Sequence, residues 1–314
     1  MRKSRLGRDA CKKKWNKAGF IILFLTPLMA AFCIFYLYPL ISVFLTSFCK
    51  WDYSNIQKPE FWGWKEMFKN YDYIFNTYPF FWESLGNSLK WAMLGIFFHV
   101  PLATAMALTL SREMKGMKVV QIIYVIPCMI SAAALAMTFQ QLYNPQYGAL
   151  NALIRVFNPD FQGNILLTEG KAFWAVTSVS IFYTGTTTLM LQGNISAIPM
   201  EVREAALLDG ASGIKQDLYI VLPMLKNTLK TACILAGTSG FLLYNEVYFM
   251  TKGAAGTYSL SYVIRELAIN SPRSQFGRAN AVSLLLIIGG CLLILFINLL
   301  FELPERLGRR SGKC

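Results

Sequence analysis

The run NAVSLLLIIGGCLLILFINLLF, Asn280–Phe301, contains no charged residue and decides what kind of fold this chain can adopt. A helix needs roughly 20 predominantly apolar residues to cross a bilayer, and this run supplies them without interruption. Five blocks of the same kind precede it. They are Gly19–Phe48 within the charge-free stretch between Lys17 and Lys50, Trp91–Leu110, a block from Lys118 to about Tyr143, Ala172–Leu191, and Thr231–Met250. Composition agrees: 55% of the 314 residues are hydrophobic and 15% are charged, where a soluble globular domain carries about 25% charge.

In hydrocarbon every backbone N–H and C=O must be paired within its own segment, which selects helices over an open sheet. A closed β-barrel would show alternating segments of roughly ten residues, and the sequence shows none. The expected fold is all-α, a polytopic membrane protein of six transmembrane helices. A basic arm occupies 1–17, the membrane domain 18–301, and a tail 302–314. The first block is too long for the ~7–15-residue core of a signal peptide, and no small-residue cleavage site follows it, so it reads as a retained anchor.

The net charge of +13 is placed at the membrane edges, which argues against a nucleic-acid-binding role. Of the 30 Lys and Arg residues, 8 precede residue 18. With loops assigned alternately, 19 fall on one side and 11 on the other. The positive-inside rule then places both termini in the cytoplasm. The seven cysteines form no C-x-x-C pair, and Cys33, Cys128, Cys233 and Cys291 lie inside spans, where cysteine behaves as a small apolar residue. A disulfide framework is not expected.

The loop 50–85 is rich in aromatic residues, among them Trp51, Trp62, Trp64, Phe68 and Trp82. Some of these fit an interfacial belt, and others fit short helices on the outer face. Tyr143–Gly148 reads as a turn from its Pro and Gly content, with Ala149–Phe157 as a short amphipathic helix after it. Ser259–Ile269 reads as another helix.

Between the fourth and fifth blocks, residues 196–223 read as a helix–turn–helix. Pro199 suits the first helical turn, Gly210 a left-handed stop, Ser212 the cap of the next helix, and Pro223 a kink. The stretch Glu204-Ala205-Ala206-Leu207-Leu208-Asp209-Gly210-Ala211, eight residues, then Ile220-Val221-Leu222-Pro223 resembles the EAA signature of the membrane subunits of bacterial ABC importers. Every signature position is matched. Ile123–Pro127, Leu142–Pro145, Tyr147-Gly148 with Asn151–Leu153, and Asn245–Tyr248 are similar to the carbohydrate branch of that family, the maltose- and glycerol-phosphate-type permeases. The segment Thr251–Gly256 departs from the family's glycine run ending in proline.

The resemblance implies a binding-protein-dependent sugar importer. Glu204, Ala205, Ala206, Asp209, Gly210, Ala211 and Pro223 would form the coupling element that docks on a cytoplasmic ATPase dimer. It also implies a second, homologous permease, an extracellular sugar-binding protein, and location in the bacterial cell membrane. Residues that would line a sugar path are Tyr183, Thr187, Tyr244, Asn245, Glu246 and Tyr248. The same polar residues also join helices to one another, and the sequence leaves both roles open.

No G-x-x-x-x-G-K-[ST] is present, and Gly308–Lys313 is one residue short of it. ATP and Mg are therefore expected on the partner, with no cofactor or metal in this chain and no catalytic residue. The single histidine, His99, suits packing or hydrogen bonding better than catalysis. An ion- or proton-coupled secondary transporter would show paired broken helices in two halves and several membrane carboxylates, whereas Glu246 is the one carboxylate inside a block. An integral-membrane enzyme would need a catalytic cluster near one face.

Overall fold

The computed structural model describes residues 19–112, 116–158, 163–270 and 274–311, with the backbone alone at 270 and 303–311. The basic arm at 1–17 lies outside the described residues.

Among the described residues three helices are long and apolar enough to cross a membrane: α1 (Gly19–Thr46), α2 (Phe81–Leu110) and a last helix whose apolar part is Phe276–Glu302. Two further helix pairs pass the same test as bent units. The first pair is α3 (Met117–Met129) with α4 (Ala132–Leu142), turned by 99°. After α5 (Ala149–Phe157), the fourth apolar block folds as α6 (Lys171–Ile181) and α7 (Thr184–Ser196), separated at Phe182 and Tyr183. The hairpin helix α8 (Met200–Leu208) leads to the second bent pair, α9 (Ile214–Met224) with α10 (Lys226–Phe241), turned by 76°. Helix α11 (Leu260–Arg265) and the last helix, α12 (Phe276–Ser311), complete the chain.

Hydropathy reads apolar content but not breaks, so three of the six expected spans are interrupted where the sequence suggested continuity. Their causes are local. Ile130 and Ser131 take extended backbone between α3 and α4, and the Ser131 hydroxyl caps α4 by accepting from Ala134 N at 3.3 Å. Pro127 lies just before that turn and weakens the helix by removing a donor. Three wide π-helical turns, Cys33–Leu37, Gly95–His99 and Asp217–Val221, each end two residues before a proline: Pro39, Pro101 and Pro223. Each proline removes an N–H from the ladder, and the preceding turn widens to absorb the mismatch.

Helix α2 is the central element. It packs on α10 with backbone against backbone: a Cβ at Gly95 would meet the Ala236 carbonyl oxygen at 2.5 Å, and one at Gly240 the Trp91 carbonyl oxygen at 2.4 Å. Small residues at such crossings permit close helix contact where no hydrophobic driving force separates helix from lipid. Phe241, Leu260, Val263, Val282 and Ile297 fill the adjoining core. Toward the hairpin end, Ala103 and Ala107 of α2 pack with Leu191 and Ile195 of α7 and with Val221 and Leu225. Helix α1 is exposed along most of its length and joins α12 near its C-terminal end, where Asn280 Nδ2 donates to Thr46 Oγ1 at 2.7 Å.

The aromatic loop contains the expected short helical turns and one feature absent from the sequence reading. This is a two-stranded antiparallel sheet of β1 (Cys49–Lys50) and β2 (Glu60–Phe61). Asn70 fastens it by donating to the Ser47 and Cys49 carbonyls, both at 2.8 Å. Among the described residues Cys33, Cys49, Cys128, Cys233 and Cys291 are free thiols.

Candidate functional site

Two regions concentrate the residues singled out above: the hairpin at 196–223, and a cavity among α2, α6, α7 and α10.

In the hairpin, α8 begins at Met200 with Pro199 as its N-cap, one position earlier than the first helical turn. Its C-terminus is closed at Gly210, whose φ is +80°. Gly210 N donates to Leu207 O at 3.1 Å and Ala211 N to Ala206 O at 2.8 Å. This paired capping pattern needs a left-handed residue, which glycine supplies without a steric penalty. Ala206 turns inward and is buried, while Glu204, Ala205, Leu207, Leu208 and Asp209 face outward. The result is a capped helical surface carrying two carboxylates and one fully presented leucine, Leu208.

Ser212 does not cap α9. Gly213 occupies the cap position, and Ser212 contributes its carbonyl, accepting from Lys215 N at 3.3 Å. A left-handed Gly213, with φ of +58°, sets the entry to α9, so no side-chain oxygen is needed there. Pro223 is exposed near the end of α9, just before the turn at Leu225. Arg203 ties the two limbs to the membrane domain: its Nη2 donates to Ile195 O at 3.0 Å, and its own carbonyl accepts from Gln216 Nε2 at 2.8 Å.

The cavity has two adjoining lobes of about 70 Å³ and about 290 Å³ that share His99, Tyr183, Ala236 and Ser239. Helix α2 contributes Trp91, Gly95 and His99, spaced four apart along one ridge. The opposite walls bring Thr177, Ser180 and Tyr183, then Ser239, Leu243 and Glu246 in the smaller lobe, and Thr186 and Thr187 in the larger. Trp91 Nε1 donates to Thr177 Oγ1 at 3.0 Å, and His99 Nε2 lies 3.1 Å from Thr187 Oγ1. The Tyr183 hydroxyl is buried and has no hydrogen-bond partner among the described residues. Glu246 is 7% exposed and is the one carboxylate among the lining residues described.

The breaks in the apolar blocks explain this location. Tyr183 lies at the break between α6 and α7, and Leu243 in the break after α10. Irregular backbone at membrane depth is tolerated where it is buried in protein or lines a cavity.

Of the six candidate path residues, Tyr183, Thr187 and Glu246 line the cavity. Tyr244 and Tyr248 lie beside it as a parallel stack with ring centroids 5.6 Å apart. Arg265 Nη2 donates to the Tyr248 hydroxyl at 3.1 Å, and its guanidinium lies 4.1 Å from that ring's centroid. Asn245 is half-buried and does not line either lobe. Trp91 and His99 were not expected on the cavity. The available signal was the polar or amphipathic residue recurring along one ridge of an apolar block. Among the described residues no group of three His, Cys, Asp or Glu is placed to hold a metal ion.

Comparison with known proteins gives a consistent neighbourhood. No family model matches the chain. The chain is 29% identical over 276 residues to the trehalose/maltose transport system permease protein MalF of Thermococcus litoralis, covering 87% of this chain and 90% of that protein. It is 26% identical to the maltodextrin transport system permease protein MdxF of Bacillus subtilis, covering 88% of this chain and 68% of that protein. A solved bacterial ABC transporter that imports the acidic polysaccharide alginate has a chain of the same fold, with TM-score 0.78 at 18% identity, covering 92% of this chain and 97% of that one. The chain thus resembles permease subunits of carbohydrate ABC importers over nearly its whole length.

Proposed function

We infer that this chain is a permease subunit of an ATP-driven ABC importer and forms half of the transmembrane path for a sugar or oligosaccharide. The observation that carries this reading is the hairpin. A capped helix presents Glu204, Ala205, Leu208 and Asp209 outward at the end of a membrane domain, in a chain whose full-length relatives are sugar permeases. Glu204, Ala205, Ala206, Asp209, Gly210, Ala211 and Pro223 are the coupling residues.

The partners are a second permease, an ATPase dimer that holds ATP and Mg, and an extracellular sugar-binding protein. The chain sits in the bacterial cell membrane with both termini cytoplasmic, supported by the excess of basic residues on the hairpin side. This chain's residues supply no chemistry to ATP hydrolysis. They receive the ATPase's movement at the hairpin and pass it to the helices around the cavity, where Tyr183, Thr187 and Glu246 offer hydrogen-bonding groups to a sugar. The nucleotide can drive this only through its different affinities for the two states.

Broken helices also occur in secondary transporters, in corresponding positions of two repeated halves. Here the breaks fall in one continuous region, between Met117 and Thr251, which favours the importer. The test is uptake of labelled maltotriose and arabinotriose by vesicles holding this chain and its partner permease, with or without the ATPase. Uptake that requires the ATPase and ATP is expected. Uptake that persists on a proton gradient without the ATPase would overturn the reading.

A further inference from the structure

Helix α2 runs as one element of 30 residues from Phe81 to Leu110, roughly 1.5 Å per residue and so about 45 Å long. Its middle walls the cavity through Trp91, Gly95 and His99. Two residues past its end lies Arg112, tied back to the last turn by Arg112 N donating to Thr109 O at 3.2 Å, and its Nη2 lies 2.6 Å from Asp217 Oδ2. Asp217 opens the wide turn of α9, the second limb of the hairpin. The pair therefore joins the hairpin directly to the helix that forms the cavity wall.

The surroundings of the pair determine what it can do. Below it, Val221 and Leu225 sit against Ala103, Ala107, Leu191 and Ile195. Such apolar packing holds two helices together but is non-directional, and the alanines of α2 present a smooth surface along which α9 can slide. An ion pair with fixed partners adds what the apolar seat lacks, a defined position along the helix axis. Asp217 is only 18% exposed while Arg112 is 46% exposed, so the carboxylate is held by the fold and the guanidinium reaches to it. Exposed ion pairs add little to stability, which makes a role in transmission more informative than one in folding.

We propose that Arg112 and Asp217 form the strut through which the hairpin moves α2, and with it the cavity wall. Both are positioning residues. The proposal rests on the importer reading, because the hairpin must be the part that the ATPase moves.

The test uses the assembled importer in a background without native cysteines, with distances between spin labels measured before and after adding a non-hydrolysable ATP analogue with Mg. One label pair, Lys215 against Leu299, reports the hairpin. The other, Phe97 against Leu299, reports α2; all three positions are exposed. In the otherwise unchanged importer both distances shift. In Arg112→Asp or Asp217→Arg the hairpin shift remains and the α2 shift falls by more than about half, as loss of a directional contact of modest strength implies. The exchanged double variant Arg112→Asp/Asp217→Arg recovers both shifts.

An α2 shift that survives in both single variants overturns the proposal. So does an exchanged variant no better than the singles. Loss of the ATPase from the purified complex in the milder Arg112→Gln or Asp217→Asn also overturns it, by assigning the pair to assembly. If the hairpin distance does not respond to the nucleotide even with Arg112 and Asp217 intact, the importer reading itself fails, and that failure is visible before any variant is made.

Discussion

Gly240 and Trp91 meet backbone to backbone: a Cβ on Gly240 would lie 2.4 Å from the Trp91 carbonyl oxygen, with the Trp91 carbonyl carbon at 2.7 Å. This contact and its counterpart at Gly95 and Ala236 set how closely α2 approaches α10, and therefore the width of the cavity between them.

Gly240→Ala forces the two backbones apart. Overpacking of this kind destabilises by about 1–3 kcal/mol. Gly193 in α7 provides the control, because a Cβ there meets nothing within 4 Å. Gly193→Ala is expected to be neutral or stabilising by up to about 1 kcal/mol, from helix propensity. Thermal denaturation of the purified chain in detergent compares the two. Equal midpoints would remove the close crossing from the account.

The loop 251–257 turns on two residues other than glycine held in left-handed backbone. Lys252 and Ala255 adopt left-handed backbone, with φ of 52° and 53°, and the Thr251 and Thr257 hydroxyls close the loop at 2.6 Å. A side chain in that region carries a penalty of roughly 1–2 kcal/mol relative to right-handed backbone, which glycine avoids. Ala255→Gly should therefore raise stability, by up to about 1 kcal/mol once the greater freedom of glycine in the unfolded chain is subtracted. A lowered midpoint on thermal denaturation would contradict the assigned backbone.

Tyr258 stacks on Phe80 with centroids 4.1 Å apart. Burial, and then the Glu266 carboxylate, push its hydroxyl up to about 12, against an ordinary value near 10. The folded chain thus holds Tyr258 neutral. The resulting stability is intact below about pH 10 and is lost as pH rises toward about 12. Tyr258→Phe cannot ionise, so its stability should fall less steeply across that window. Parallel pH profiles of the two proteins would show that Tyr258 does not titrate there.

Glu246 and the Tyr183 hydroxyl are buried polar groups on one cavity. Glu246→Gln keeps the shape and removes the possibility of a charge. Loss of one hydrogen bond from the carboxyl group to a sugar would lower uptake roughly tenfold, with the ATPase still bound to the complex. Tyr183→Phe should show the same pattern with a smaller loss. Normal uptake by both would move the path away from this cavity.

Much of this arrangement is legible in the sequence because it rests on strong local signals. The apolar block at Asn280–Phe301 needs no tertiary partner to be read as a helix. The stop at Gly210 follows from the one residue that takes φ of +80° freely. The cavity was harder to see. Tyr183 and Leu243 are placed by breaks inside apolar blocks, and hydropathy averages across such breaks. Trp91 and His99 face the cavity because Gly95 lets α2 close on α10 and because a wide turn precedes Pro101. Those are relations between helices, which a pattern along one helix does not contain. Ser212 failed as a cap for a similar reason, since Gly213 had already set the chain direction.

The hairpin at 196–223 is the proposed link to the ATPase, and its own variants test that role. Gly210→Pro removes the N–H donated to Leu207 O and forbids φ of +80°; Glu204→Lys reverses an exposed charge on the outward face of α8. The decisive measurement is ATP hydrolysed per sugar imported by the reconstituted importer, made for both variants with membrane insertion confirmed. Both should insert normally and hydrolyse ATP without matching import, so that the ratio rises several-fold. A normal ratio in both variants would contradict the assignment of residues 196–223 as the element that couples the ATPase to transport.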